Sequence, residues 1–309
     1  MKVIHTVLQV SANPHSPGTM TMEKQHRILV IGAAGMLGNA LLRYFSNETG
    51  HVVFGSVRSA RSASLLPGAL RSSVISGIDV DNPDSLVRLV GDTRPTILVN
   101  CVGLVKQLQG SRDPLSALSI NSALPHRLAH LAAASGARLV HLSTDCVFSG
   151  TRGMYKEDDT PDATDLYGRT KLLGEVDTDN AITLRTSIIG HELGTSHSLV
   201  CWFLSQQEAA TGYRRAVFSG LPTVEIARVI DRHVLPNPGM RGLYHLSAAP
   251  IDKYRLLQLI AERYGKTIRI EPADSPVIDR SLDSSRFRNE TGFQPEPWPE
   301  LISRMKTFG

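Results

Sequence analysis

Tyr167 and Lys171 stand four residues apart, and together they carry chemistry that neither has alone. On a helix such positions share a face about one turn apart, so the spacing predicts a phenol beside an ammonium. A tyrosine with a pKa near ~10 is a poor proton donor or acceptor at neutral pH, and a nearby cation favours the phenolate and lowers that value. Upstream, Leu142-Ser143-Thr144-Asp145 closes an apolar run. That places the Thr144 hydroxyl at the carboxyl end of a strand, where open parallel sheets bind ligands. There Thr144 can hydrogen-bond a carbonyl oxygen while Tyr167 delivers the proton.

A glycine loop supplies a second site. Gly32-Ala33-Ala34-Gly35-Met36-Leu37-Gly38 follows the first apolar run and opens a helical pattern. In that order, glycines let backbone N–H groups approach a pyrophosphate at the positive end of the helix, where side chains would block it. Gly32, Gly35, Met36, Leu37 and Gly38 are the expected phosphate contacts of a dinucleotide. After the second strand, where an NAD binder carries an acidic residue, the chain reads Gly55-Ser56-Val57-Arg58-Ser59-Ala60-Arg61. The planar donors of Arg58 suit a 2′-phosphate, so NADPH is expected over NADH. Asp79-Val80, after the third strand, is placed to meet the adenine. Cys101-Val102-Gly103, after the fourth, is placed beneath the ribose, with Lys171 in reach of its hydroxyls.

The elements that must hold these residues show in the hydropathy pattern. From Arg27 onward short apolar runs alternate with longer amphipathic stretches, which predicts an α/β fold with a doubly wound parallel (Rossmann) sheet. Strands are expected over 27–31, 51–54, 73–77, 96–101, 138–142, 182–186 and 242–246. Helices are expected over 36–46, 83–91, 114–135, 167–176, 198–210, 224–235, 253–264 and 298–307. The near-continuous apolar strands fit burial on both faces. Alternation breaks near Thr186. The expected organisation is a flexible N-terminal extension over 1–26, in which Met20 and Met22 are alternative starts, and an NADP-binding domain over 27–186 plus 217–247. A small discontinuous substrate-binding lobe is expected over 187–216 plus 248–309.

Composition narrows the function classes. The 309 residues include 33 Lys and Arg against 29 Asp and Glu, a net charge of +4. The charges are interspersed, so no basic stripe tracks a nucleic acid. Apolar runs fall short of the ~20 residues a membrane helix needs. Cys101, Cys146 and Cys201 lie far apart with no C-x-x-C pair, which predicts free thiols, a cytoplasmic location and no metal site. His126 and His130 share a helix face at ligand spacing and read as a surface pair. The acidic run Glu157-Asp158-Asp159, with Asp162 and Asp165, reads as a solvated loop. Asn121 on the long helix is a secondary site candidate.

Glycine loop, Thr144, Tyr167 and Lys171 occur in order on the right elements, and in this the chain resembles the extended short-chain dehydrogenase/reductases. Ser143-Thr144-Asp145-Cys146-Val147-Phe148-Ser149-Gly150, Tyr167-Gly168-Arg169-Thr170-Lys171-Leu172-Leu173-Gly174-Glu175, Leu184-Arg185-Thr186-Ser187 and Gly242-Leu243-Tyr244-His245-Leu246 are similar to their dTDP-4-dehydrorhamnose reductase branch. The likeness covers nearly everything from Arg27 to Met305. It implies an NADPH-dependent reductase of the C4 ketone of a nucleotide-linked 6-deoxyhexose, in cell-surface polysaccharide sugar biosynthesis. Thr144, Tyr167 and Lys171 would be its triad, and a homodimer its assembly.

Three departures qualify the likeness. Cys146 stands where that branch has Tyr. Asn100-Cys101-Val102-Gly103-Leu104-Val105-Lys106-Gln107 replaces an alanine-rich acidic segment, and Lys106 near the substrate mouth points to another sugar. Asp279-Arg280-Ser281-Leu282-Asp283 only partly matches the C-terminal signature, with Arg280 the expected diphosphate partner. Two alternatives keep the fold: a nucleotide-sugar epimerase with recycled cofactor, and a non-catalytic cofactor-binding regulatory subunit such as the methionine adenosyltransferase partner. Dehydratases of the superfamily follow the threonine with Asp-Glu, whereas this chain has Asp145-Cys146.

Overall fold

The computed structural model describes residues 25–105 and 113–309. Residues 1–24 of the expected extension, and Lys106, lie outside the described residues.

Seven parallel strands form the main sheet: β1 (Arg27–Ile31), β2 (Val52–Val57), β3 (Val74–Ser76), β4 (Ile97–Asn100), β5 (Arg138–Thr144), β6 (Ala181–Thr186) and β7 (Gly242–His245). Their spatial order is β7-β6-β5-β4-β1-β2-β3. The order reverses between β1 and β4, and there the loops leaving both strands open a crevice at the carboxyl edge of the sheet.

Alternate side chains of each strand enter different cores, the consequence of a two-residue period between two helical layers. Ile28 and Val30 of β1 join one cluster, together with Leu41 and Phe45 of α1 (Met36–Glu48). Leu29 and Ile31 join the other, with Leu86 and Leu89 of α2 (Pro83–Thr93) and Leu124 and Leu128 of α3. Helix α3 is not the single regular helix its pattern predicts. It runs Pro114–Ala117, then a π-helical turn Leu118–Ala123, then Leu124–Ala134.

Beyond Thr186 the chain builds small sheets from short strands. Ala209–Tyr213 pairs in parallel with Arg269–Ala273. Ala216–Phe218 pairs antiparallel with Ile251–Asp252 and parallel with Ile278–Asp279. The helix expected over 198–210 ends at Ser205, and the chain then turns into the strand Ala209–Tyr213. Among the described residues no helix is long and apolar enough to cross a membrane.

Candidate active site

At the end of β1 the chain turns through Gly32 at φ +85°, a left-handed conformation that glycine adopts without strain. A Cβ at Gly32 would lie 2.8 Å from the Val102 side chain, so the loop leaving β4 rests against the loop leaving β1. A Cβ at Gly38 would come within 2.1 Å of the Gly32 carbonyl oxygen, so only glycine lets α1 close onto its own loop. Gly35 caps α1 without a side-chain hydrogen bond, and the first turn holds no acidic residue. The leading N–H groups of the helix are thereby left to a ligand of negative charge. Such a cradle fits a dinucleotide pyrophosphate.

Arg58 is exposed one residue past β2. Ser59 beside it caps a short helix by accepting from the Ser62 N–H, which sets the direction of the loop. Among the described residues no hydrogen bond or ion pair engages the Arg58 guanidinium. Asp79 is exposed and Val80 half-buried past β3. The Asp79 carboxylate accepts from the Asp81 N–H at 3.1 Å, which tightens that turn.

Thr144 is buried as the last residue of β5, and Tyr167 and Lys171 lie on α4 (Leu166–Leu173). Asp165 starts α4 by accepting from the Gly168 N–H at 3.0 Å. A Cβ on Gly168 would sit 2.2 Å from the Cys146 carbonyl oxygen, so this glycine lets α4 lie directly on the turn after Thr144. The packing brings the hydroxyls together: the Thr144 hydroxyl lies close enough to the Tyr167 phenol to favour its phenolate. Thr144 Oγ1 also accepts from the Cys146 N–H at 3.1 Å and donates to Asp145 Oδ1 at 3.2 Å. Lys171 is buried, with Nζ donating to the Leu142 carbonyl at 2.8 Å.

The electrostatics differ from the expectation in one respect. Proximity to Lys171 was to lower the Tyr167 pKa; instead burial raises it, Cys146, Asp145 and Asp165 add to the rise, and the Thr144 hydrogen bond opposes it. Burial also pushes Lys171 down to about 8, against the pull of Glu175 and Cys101. Both groups pay for leaving water, and desolvation outweighs their neighbours. Cys101 on the adjoining loop is pushed up to about 12 by burial, so it stays a thiol.

Behind Lys171 stands an ionic network absent from the expected residues. Arg185 of β6 forks onto Glu175, with Nε and a terminal nitrogen each 2.7 Å from a carboxylate oxygen. Ser143 donates to the same carboxylate at 2.7 Å. A third Arg185 nitrogen lies 3.3 Å from His245 Nε2, while His245 Nδ1 lies 3.0 Å from the Tyr155 carbonyl. The carbonyl needs a donor and the guanidinium an acceptor, which assigns the proton to Nδ1 and keeps the ring neutral. The network ties together the carboxyl ends of β5, β6 and β7. Ser143, Glu175, Arg185 and His245 all fall in the segments that carry the family likeness, where none of them is given a role.

Asn121 falls in the π-helical turn and clamps the loop that leaves β4. Its side chain accepts from the Leu104 N–H at 2.9 Å and donates to the Leu104 carbonyl and the Thr170 hydroxyl. Arg280 reaches the site from the C-terminal third. Its Nε donates to the Phe148 carbonyl at 2.7 Å, a terminal nitrogen lies 3.9 Å from Cys146 Sγ, and its charge faces Asp145. The acidic loop read as solvated is engaged: Asp162 accepts from Ser149, and Glu157 from the His245 N–H.

A family model described as the RmlD substrate binding domain matches residues 26–307. The mouse methionine adenosyltransferase 2 subunit beta is 26% identical over 316 residues, covering 90% of this chain and 89% of the relative. Among solved structures, a dTDP-4-dehydrorhamnose reductase from Bacillus anthracis in complex with NADP superposes with a TM-score of 0.76 at 19% identity. That match covers 92% of this chain and 99% of the reductase. The Bordetella bronchiseptica enzyme WbmG, in complex with NAD and UDP, gives 0.74 at 19% identity over 92% of this chain and 95% of its own. Because the family match takes in the glycine cradle, the Thr144–Tyr167 pair, Lys171 and Arg280 in one span, the chain belongs to the RmlD substrate binding domain family.

Proposed function

We propose that this protein reduces the 4-keto group of a nucleotide-linked 4-keto-6-deoxy sugar with NADPH, a step of cell-surface polysaccharide sugar biosynthesis in the cytoplasm. The observation that supports it most is the neighbouring Thr144 and Tyr167 hydroxyls at the carboxyl edge of β5, with a buried lysine on the same helix as Tyr167. Two hydroxyls held side by side can share one carbonyl oxygen and stabilise the charge it gains in the transition state. When bound, the reduced nicotinamide supplies hydride.

The chain's own groups do the rest. Gly32, Gly35, Met36, Leu37 and Gly38 hold the pyrophosphate, Arg58 the 2′-phosphate, Asp79 and Val80 the adenine side, and Val102 and Gly103 the ribose. Lys171 spends one of its three protons on Leu142 and has two for ribose hydroxyls. Tyr167 gives its proton to the oxygen of the reduced carbonyl, and Thr144 orients that oxygen. Arg280, with Lys106 from outside the described residues, meets the nucleotide diphosphate.

The mouse relative favours a second reading, a cofactor-binding subunit that regulates another enzyme. NADPH oxidation with dTDP-, UDP- and GDP-linked 4-keto-6-deoxy sugars separates the two. The expected result is stoichiometric oxidation that falls at least ~100-fold in Tyr167→Phe and declines above about pH 8, where Lys171 loses its proton. No oxidation with any sugar, alongside tight binding of a partner enzyme, supports the regulatory reading. Product without net oxidation of NADPH identifies an epimerase.

A further inference from the structure

Asp145 is buried in the turn immediately after Thr144, 8% exposed, and the proposed reaction has so far used it for nothing. Its Oδ1 accepts from the Thr144 hydroxyl at 3.2 Å, and the Ser187 hydroxyl and Cys146 thiol lie near enough to favour its ionised form. The charge facing it comes from Arg280, whose guanidinium is anchored on the Phe148 carbonyl, and from the same side Asp162 offsets part of that charge. Tyr167 completes the ring of titratable groups around it. A hydroxyl has one proton. The single Thr144 proton is contested: it is donated to Asp145 Oδ1 at 3.2 Å, while Thr144 Oγ1 accepts from the Cys146 N–H, and turned the other way it favours the Tyr167 phenolate. While Asp145 is ionised it draws that proton, and Tyr167 is deprived of it. A protonated Asp145 reverses this direction: it donates to Thr144, and both hydroxyl protons are released toward the cleft.

We propose that Asp145, Thr144 and Tyr167 form one proton-sharing chain in which Asp145 holds the proton that replenishes Tyr167. The inference rests on the reduction reading above. Reduction leaves an alkoxide on the sugar. The phenol O–H of Tyr167 breaks and a new O–H forms on the sugar. The phenolate takes the Thr144 hydroxyl proton, and Thr144 Oγ1 takes the carboxyl proton of Asp145. The balance is one ketone, one hydride and the Asp145 proton consumed, one alcohol and one carboxylate formed, and solvent restores the carboxyl proton. Asp145 acts through Thr144, so it is a positioning residue for the acid Tyr167. Burial, which raises its pKa, makes it a carboxyl that can keep a proton at milder pH than an exposed one.

The test pairs a titration needing no substrate with kinetics. The 13Cγ resonance of Asp145, assigned by its loss in Asp145→Asn, is followed against pH in the full chain. Its midpoint is expected above the ordinary carboxylate range, and higher still in Thr144→Val, which removes a donor to the ionised form. A midpoint in the ordinary range, or one that Thr144→Val leaves in place, overturns the chain whether or not the protein reduces any sugar. With a turned-over sugar, kcat of the wild type should fall with rising pH at the midpoint read by NMR. Asp145→Asn should lose that descent and at least ~100-fold in kcat with KM nearly unchanged. A kcat profile that Asp145→Asn does not alter overturns the proton supply. If the wild type oxidises NADPH with no sugar while the midpoints behave as expected, the reduction reading falls and the three-group chain is supported.

Discussion

In the proposed reduction, Arg58 bears on the choice of cofactor more than any other single residue. It stands exposed past β2 with its guanidinium unengaged among the described residues, at the place where a carboxylate would select the unphosphorylated ribose. Arg58→Ala should weaken NADPH binding at least tenfold and leave NADH nearly unchanged, measured by fluorescence titration of both. Equal losses would show that the side chain does not face the 2′-phosphate. At this scale the sequence was informative, because Gly32, Gly38, Thr144, Tyr167 and Lys171 announce themselves through patterns a few residues long. Asp145 was not legible as a partner of Thr144, since adjacency says nothing of where a side chain turns. The direction of the Tyr167 shift was not legible either. It depends on how deeply α4 and the turn at Cys146 bury the phenol, and no local spacing encodes that.

Between residues and fold, α3 shows what an element can hide. Its 114–135 pattern reads as one regular helix because apolar periodicity survives a π-helical turn, in which one extra residue enters the ladder. The turn carries Asn121 to the loop 102–104 and to Thr170 on α4, so three elements meet on one amide. Asn121→Ala would leave the Leu104 N–H and carbonyl without the amide that pairs them. The expected cost is about 1–3 kcal/mol in urea unfolding, with weaker NADPH binding because the ribose side of the cradle loosens. Unchanged stability would mean that water replaces the amide. The main strands were legible as apolar runs, whereas the small sheets were not. Strands of two to five residues such as Ile251–Asp252 and Arg269–Ala273 are too short for periodicity to register, and their pairing is long-range.

For the molecule as a whole, buried histidines set a limit on the acid side. Burial, reinforced by Arg185, pushes His245 down to about 4, and burial holds His141 well below its ordinary value. An unfolded chain protonates both near pH ~6.5. Between about 4 and ~6.5 the unfolded state therefore binds more protons, so stability rises with pH across that window and is lost on acidification. The loss approaches ~1.4 kcal/mol per pH unit for each histidine. The urea midpoint should fall between pH 7 and pH 5, and less steeply in His141→Asn. An equal slope in that variant would show that His141 is protonated in the native state.

The interleaved small sheets carry a consequence for synthesis on the ribosome. Ala209–Tyr213 and Ala216–Phe218 emerge well before Arg269–Ala273 and Ile278–Asp279, the strands they pair with in parallel. Translation at ~5–20 residues per second leaves those edges without their parallel partners for several seconds after the seven-stranded sheet can close. Unpaired strand edges are the surfaces on which chains aggregate. The nascent protein thus completes its glycine loop and the Thr144–Tyr167 neighbourhood first, while the strands 269–273 and 278–279 beside Arg280 arrive later and seal the exposed edges.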